Sequence, residues 1–78
     1  MGKVYLSLNK LPQGKCAHVR ALLAEEEAKR RLEDLGLVFG TKVEAVQKSP
    51  AGDPTAYFFR GTVIALRSEQ AQQILVEV

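Results

Sequence analysis

One segment decides what this chain can become. Around residues 25–35, Ala24, Ala28, Leu32 and Leu35 recur at three- and four-residue spacing, which lays one apolar stripe along a helix. Glu25 with Lys29, Glu26 with Arg30 and Glu27 with Arg31 stand four apart with the acid first. Each such pair supports a helix by about 0.2–0.5 kcal/mol, and an acidic first turn complements the helix dipole. Gly36 is placed to give the left-handed stop, and Leu37 to fold back onto Leu32 in a Schellman arrangement. Ala24 is a poor N-cap, so the start of the helix carries no comparable signal.

The rest of the chain alternates or turns. After a turn-rich opening over 8–14, residues 16–22 read as a strand, with Ala17, Val19 and Ala21 on one face and Cys16, His18 and Arg20 on the other. Strands follow over 41–48, 55–60, 62–66 and 74–78. Ser49-Pro50-Ala51-Gly52-Asp53-Pro54 is the turn between the second and third, and Gly61 joins the third and fourth sharply. Ser68 is placed to cap a short helical turn over 69–73. The pattern predicts a mainly β fold: a small SH3-like five-stranded barrel with a helix inserted after its first strand, closed so that no strand edge is left open.

Composition narrows the class. Seventy-eight residues make one domain, 1–78, in which folding buries roughly 60% of the surface the unfolded chain exposes. An apolar fraction of 46% with 26% charged excludes a disordered tail or a collagen-like repeat. Cys16 is the single cysteine, so no disulfide staples the fold and a reducing cytoplasm is the expected compartment. No apolar run exceeds four residues, against the ~20 a membrane span needs. The start Met1-Gly2-Lys3-Val4-Tyr5-Leu6 lacks the apolar stretch of a signal peptide, and Leu6 breaks the myristoylation pattern. The net charge of +2 is too small to indicate a polyanionic partner and reads as a solvated surface.

Little here reads as catalytic. Cys16 and His18 lie two apart on a strand and share a face, with Cα atoms roughly 6.5–7 Å apart, which is too far for an easy thiol–imidazole pair. Nothing is indicated to orient the imidazole, so a Cys–His hydrolase is not expected. The same pair could start a soft-metal site, but a closed site usually takes four ligands, and a carboxylate from Glu25-Glu26-Glu27 or a second molecule would have to complete it. The bland alternative is two solvent-facing strand residues. Gly36-Leu37-Val38-Phe39-Gly40-Thr41-Lys42 superficially suggests a phosphate-binding loop, but it has three residues between the glycines rather than four, and Thr41 precedes Lys42. The two glycines instead end the helix and start the return into the sheet.

Taken together, Arg31-Leu32-Glu33-Asp34-Leu35-Gly36-Leu37-Val38-Phe39-Gly40-Thr41 resembles the signature "RL-x-D-LG-L-x-P-G-T" of the FeoA family of the bacterial ferrous iron uptake system. Ser49-Pro50-Ala51-Gly52-Asp53-Pro54 resembles its "P-x-G-D-P" turn. Gly61, Ala65-Leu66-Arg67 and Ala71 with Ile74 resemble its closing segment, and Leu8 with Leu11-Pro12-Gln13-Gly14 its opening. The resemblance covers essentially the whole chain. Arg31, Leu35, Gly36, Gly40, Pro50, Gly52, Asp53, Pro54 and Gly61 are the motif positions it marks as structural. Three departures stand out: Phe39 replaces the usual proline, which predicts a looser or more apolar turn; Cys16 and His18 lie outside the pattern; and the register puts Tyr57 and Phe59 inward but Phe58 outward.

The resemblance implies an SH3-like barrel, no enzyme activity, no cofactor, and a cytoplasmic accessory role. Its implied partner is a FeoB-type membrane transporter with a cytoplasmic G-protein domain. Leu37, Phe39, Phe58 and Arg67 are the contact candidates, Arg67 having a structural alternative in bonding carbonyls around the last helical turn. Association between copies of the chain is compatible with this. FeoA-like domains also close some metal-responsive repressors behind a helix-turn-helix, for which this sequence has no room. Two other classes stay open. Small barrels often bind nucleic acid, and Tyr57-Phe58-Phe59-Arg60 is a faint version of interleaved aromatic and basic residues, although nucleic acid is not the expected partner. The other is metal sensing through Cys16 and His18.

Overall fold

Alternation in the sequence becomes strands in the expected order, with one strand more than the pattern shows. In the computed structural model, which describes residues 3–78, the elements run β1 (Tyr5–Ser7), β2 (Cys16–Leu22), α1 (Glu26–Asp34), β3 (Lys42–Lys48), β4 (Thr55–Phe59), β5 (Thr62–Leu66), α2 (Ser68–Ala71) and β6 (Ile74–Glu77). Met1 and Gly2, on which the reading of the leader partly rests, lie outside the described residues. All strand pairs are antiparallel, in the order β1-β6-β2-β3-β4-β5. No helix among the described residues is long and apolar enough to cross a membrane.

Every second residue of the sheet builds the core. Ala17 and Val19 from β2, Val43 and Ala45 from β3, Tyr57 and Phe59 from β4, and Ile74 and Val76 from β6 are buried in one cluster. Side chains alternate between the faces of a strand, so their neighbours face outward. Register shifts between Val19 and Ala21, and again between Ala45 and Gln47, bend the sheet around this core. The fold is the SH3-like one expected, with six strands in place of five. The added strand, β1, is three residues long and pairs with β6, and a 3-10 turn at Leu8–Lys10 follows it and buries Leu8. The sheet is not bonded shut: among the described residues β1 and β5 have no strand on their outer sides, so the edges expected to close remain.

The helix is shorter than its period suggested. Leu32 alone within α1 is fully packed, and Leu35, expected to complete the stripe, is exposed because the helix has already reached its C-cap there. The Schellman stop is present: Leu37 N–H donates to the Leu32 carbonyl at 3.1 Å and Gly36 N–H to that of Glu33 at 2.9 Å. Gly36 has φ 107, which favours glycine, and a Cβ there would lie 2.5 Å from Arg60 Cδ, so the exposed Arg60 side chain crossing it would have to move aside. Glu27 and Arg31 meet at 3.8 Å with both side chains solvated, the one i,i+4 pair in contact among the described residues.

Ser68 does not cap α2; it is the first residue of that helix. Its N–H donates instead to Asp53 Oδ1 at 2.7 Å, while Arg67 N–H donates to Gln70 Oε1 at 3.0 Å. The loop over 49–54 therefore caps a helix 15 residues further on. This gives Asp53 of the turn motif a structural task that spacing alone does not show.

Candidate functional site

The loop from Gly36 to Thr41 positions the first candidate. Thr41 N–H donates to the Val38 carbonyl at 3.0 Å, closing a β-turn with Phe39 and Gly40 at its corners, and Gly40 has φ 86. That is the geometry of a type II turn, in which the third residue needs φ > 0 and the second favours proline. Thr41 Oγ1 locks the loop by donating to the Gly36 carbonyl at 2.9 Å. The turn is therefore not loosened by phenylalanine. It holds the Phe39 ring out into solvent at 67% exposure.

Leu37, also a contact candidate, must be withdrawn. It is 0% exposed, because the Schellman bond folds it onto the core beneath Leu32. A side chain so placed serves packing and offers no partner a surface.

Phe58 takes the outward place expected for it. Tyr57 and Phe59 are buried and Phe58 is exposed, since side chains alternate along β4. Phe58 lies opposite Glu44, and Glu44 opposite Cys16, so one outward row crosses three strands. The next row sets His18 between Lys42 and Glu77. Beyond it Arg20 Nε donates to Glu77 Oε1 at 3.1 Å, and the Arg20 guanidinium carbon sits 4.6 Å from the centre of the Phe39 ring. The two exposed rings thus flank one outward sheet face: Phe39 beside Arg20, and Phe58 two strands across from Cys16, which begins the five-residue stretch 16–20 of β2, about 13 Å long.

Arg67 lies apart from that face. Its guanidinium is exposed and 3.8 Å from Asp53 Oδ2, so it pairs with the carboxylate that caps α2 rather than with carbonyls. Of the other marked positions, Arg31 is solvated, Pro50 and Gly52 lie in the exposed tip of the β3–β4 loop, and Pro54 is half-buried at its return. Gly61 with Arg60 forms the two-residue β4–β5 turn, with φ 78 and 52.

The chemistry the surface can perform is limited. Cys16 and His18 are both exposed, and among the described residues no three His, Cys, Asp or Glu side chains gather closely enough to hold a metal ion. The interleaved aromatic segment offers one outward ring, not a run of stacking surfaces. Inside, burial pushes the Tyr57 phenol above its usual 10.0; the nearby Asp53 charge adds to this, and a side-chain bond with Thr55 opposes it. Its hydroxyl reaches the Leu8 carbonyl at 3.5 Å, tying the 3-10 turn to β4. The Arg20–Phe39 contact and strand β1 carried no sequence signal, because both depend on long-range register.

Comparison with known proteins agrees with this architecture. The FeoA domain family matches residues 6–78. The solved structure of a FeoA-like protein from Clostridium acetobutylicum is 36% identical, with a TM-score of 0.89 over 100% of this chain and 90% of that one. A FeoA from Stenotrophomonas maltophilia, solved with zinc and described as an SH3 domain protein possibly acting as a ferrous iron transport activating factor, is 33% identical. Its TM-score is 0.80, over 91% of this chain and 88% of that one. A manganese-dependent transcriptional repressor shares the fold, with a TM-score of 0.84 at 16% identity over 97% of this chain and 42% of its own. No curated protein matches the chain.

Proposed function

The chain belongs to the FeoA domain family, and we propose that it is a non-enzymatic cytoplasmic accessory module of ferrous iron uptake that docks on the cytoplasmic part of a FeoB-type transporter. The observation that carries this reading is the pair of rings, Phe39 and Phe58, held outward at either end of one sheet face by a locked turn and by strand register. Exposed aromatic anchors with a charged surround are what protein interfaces use. Arg20, Lys42, Glu44 and Glu77 supply that surround. Docking acts on the transporter by shifting a conformational equilibrium, and only to the extent that the module prefers one state.

The test is equilibrium binding of the purified protein to its detergent-solubilised transporter, with and without guanine nucleotide. The proposal expects binding whose affinity depends on the nucleotide, which ties the module to the G-protein cycle. Absence of binding in every nucleotide state would refute it.

A further inference from the structure

Among the described residues, the two ends of the sheet are not alike. β1 is three residues long with Lys3 beside it, so little of its edge is free. β5 runs five residues, Thr62-Val63-Ile64-Ala65-Leu66, with no charge, no proline and no register shift against β4. Those are the devices by which proteins protect an edge from pairing, and β5 has none of them.

The β4–β5 turn fixes which backbone groups are free. A two-residue turn makes its flanking residues, Phe59 and Thr62, a hydrogen-bonded pair, and such pairs alternate with non-bonded ones along an antiparallel ladder. Val63 opposite Phe58 and Ala65 opposite Ala56 are therefore non-bonded, and their N–H and C=O groups point away from β4. Both residues are exposed, and no other backbone bond engages them among the described residues.

The surroundings of this edge are cationic. Arg60 precedes it, Arg67 follows it, and Lys48 lines the shallow depression formed with Ser49, Pro54, Ala56 and Ala65. Two acids are nearby: Asp53, engaged by Arg67 and by the Ser68 amide, and Glu44, two strands in from the edge beside Lys42 and Arg60. Antiparallel pairing of two copies about Ile64 would set Arg60 of one next to Arg67 of the other, so like charges oppose a second copy. We propose that the free edge of β5 is a docking site for an extended, acid-flanked strand of another protein, which adds to the sheet through the backbone groups of Val63 and Ala65. This goes beyond the proposed function and does not depend on which protein supplies the strand.

Amide exchange in the full-length labelled protein tests it. One titration uses the isolated cytoplasmic part of the transporter, and the other a short capped peptide alternating threonine and valine with glutamate at both ends. The proposal expects the Val63 and Ala65 amides to be protected by the peptide, with a lysine-ended version binding about tenfold more weakly. Val63→Pro removes an outward N–H but no β4 bond and should cost about tenfold in peptide affinity. Arg60→Asn with Lys48→Gln, which leaves the ladder intact, should also weaken binding. If the transporter part binds while both amides exchange unchanged, and the peptide leaves them unchanged too, the edge proposal is overturned and the proposed function stands. If the peptide protects them and the transporter part does not bind, the edge proposal stands and the proposed function falls. Protection by the protein's own self-association, abolished by Val63→Pro, would overturn it in favour of a second copy.

Discussion

Leu37 and Phe39 lie two residues apart in one loop, yet the first is 0% exposed and the second 67%. Both are large and apolar, so composition does not distinguish them. Backbone geometry does: a Schellman bond turns Leu37 down onto Leu32, and a type II turn lifts Phe39 away from the core. Tyr57 and Phe58 repeat the contrast on β4, where a single step along the strand changes face. Apolar side chains on one side of this thin sheet hold it together, and those on the other side are free for contact.

Substitutions should separate the two sides. Leu37→Ala should cost about 2–5 kcal/mol in urea unfolding, since it empties a core position. Gly36→Ala should cost about 1–2 kcal/mol, because an L residue is strained at φ 107 and its Cβ displaces the Arg60 chain. A titration reads the inner side independently. The Tyr57 phenol is held above 10.0 in the fold, so the unfolded chain loses that proton first as pH rises. Its contribution is complete below pH 10.0 and is lost as pH climbs toward the folded value, by at most about 1.4 kcal/mol per unit. In Tyr57→Phe that part of the alkaline loss should vanish. The smallest effect belongs to the outer side. Phe39→Pro gives up a cation–π contact of about 0.5–1 kcal/mol at an exposed site and gains about 0.4–1 kcal/mol from a restricted unfolded chain. The unfolding midpoint should therefore barely move. A large drop would mean that the Phe39 ring supports the fold.

Much of this was legible in the sequence because it is local. The helix stop at Gly36 and the turn at Gly61 each follow from a few neighbouring residues, whereas the inward placing of Tyr57 and Phe59 comes from the family register, since residues 56–59 are all apolar. What could not be read depends on partners far along the chain. Three residues of β1 are too few to show a period and are strand only because β6 lies beside them. Asp53 became the cap of α2 through tertiary placement, which local spacing had assigned to Ser68. Leu37 is a contact candidate only through the family resemblance, and the Schellman fold-back that the local sequence already predicts is what buries it. The sequence pointed to Phe39 and Phe58 but not to the face between them, since that face is set by the pairing of β2 with β3 and β6.

The central claim is that the outward rings serve recognition while the inward ones hold the fold. The most direct measurement is the affinity of the transporter's cytoplasmic part for wild type and for Phe39→Ala with Phe58→Ala, both first shown to unfold at similar urea concentrations. The double variant, still folded, should bind at least about tenfold more weakly, as loss of interface anchors does. Equal affinity in a folded double variant would contradict it.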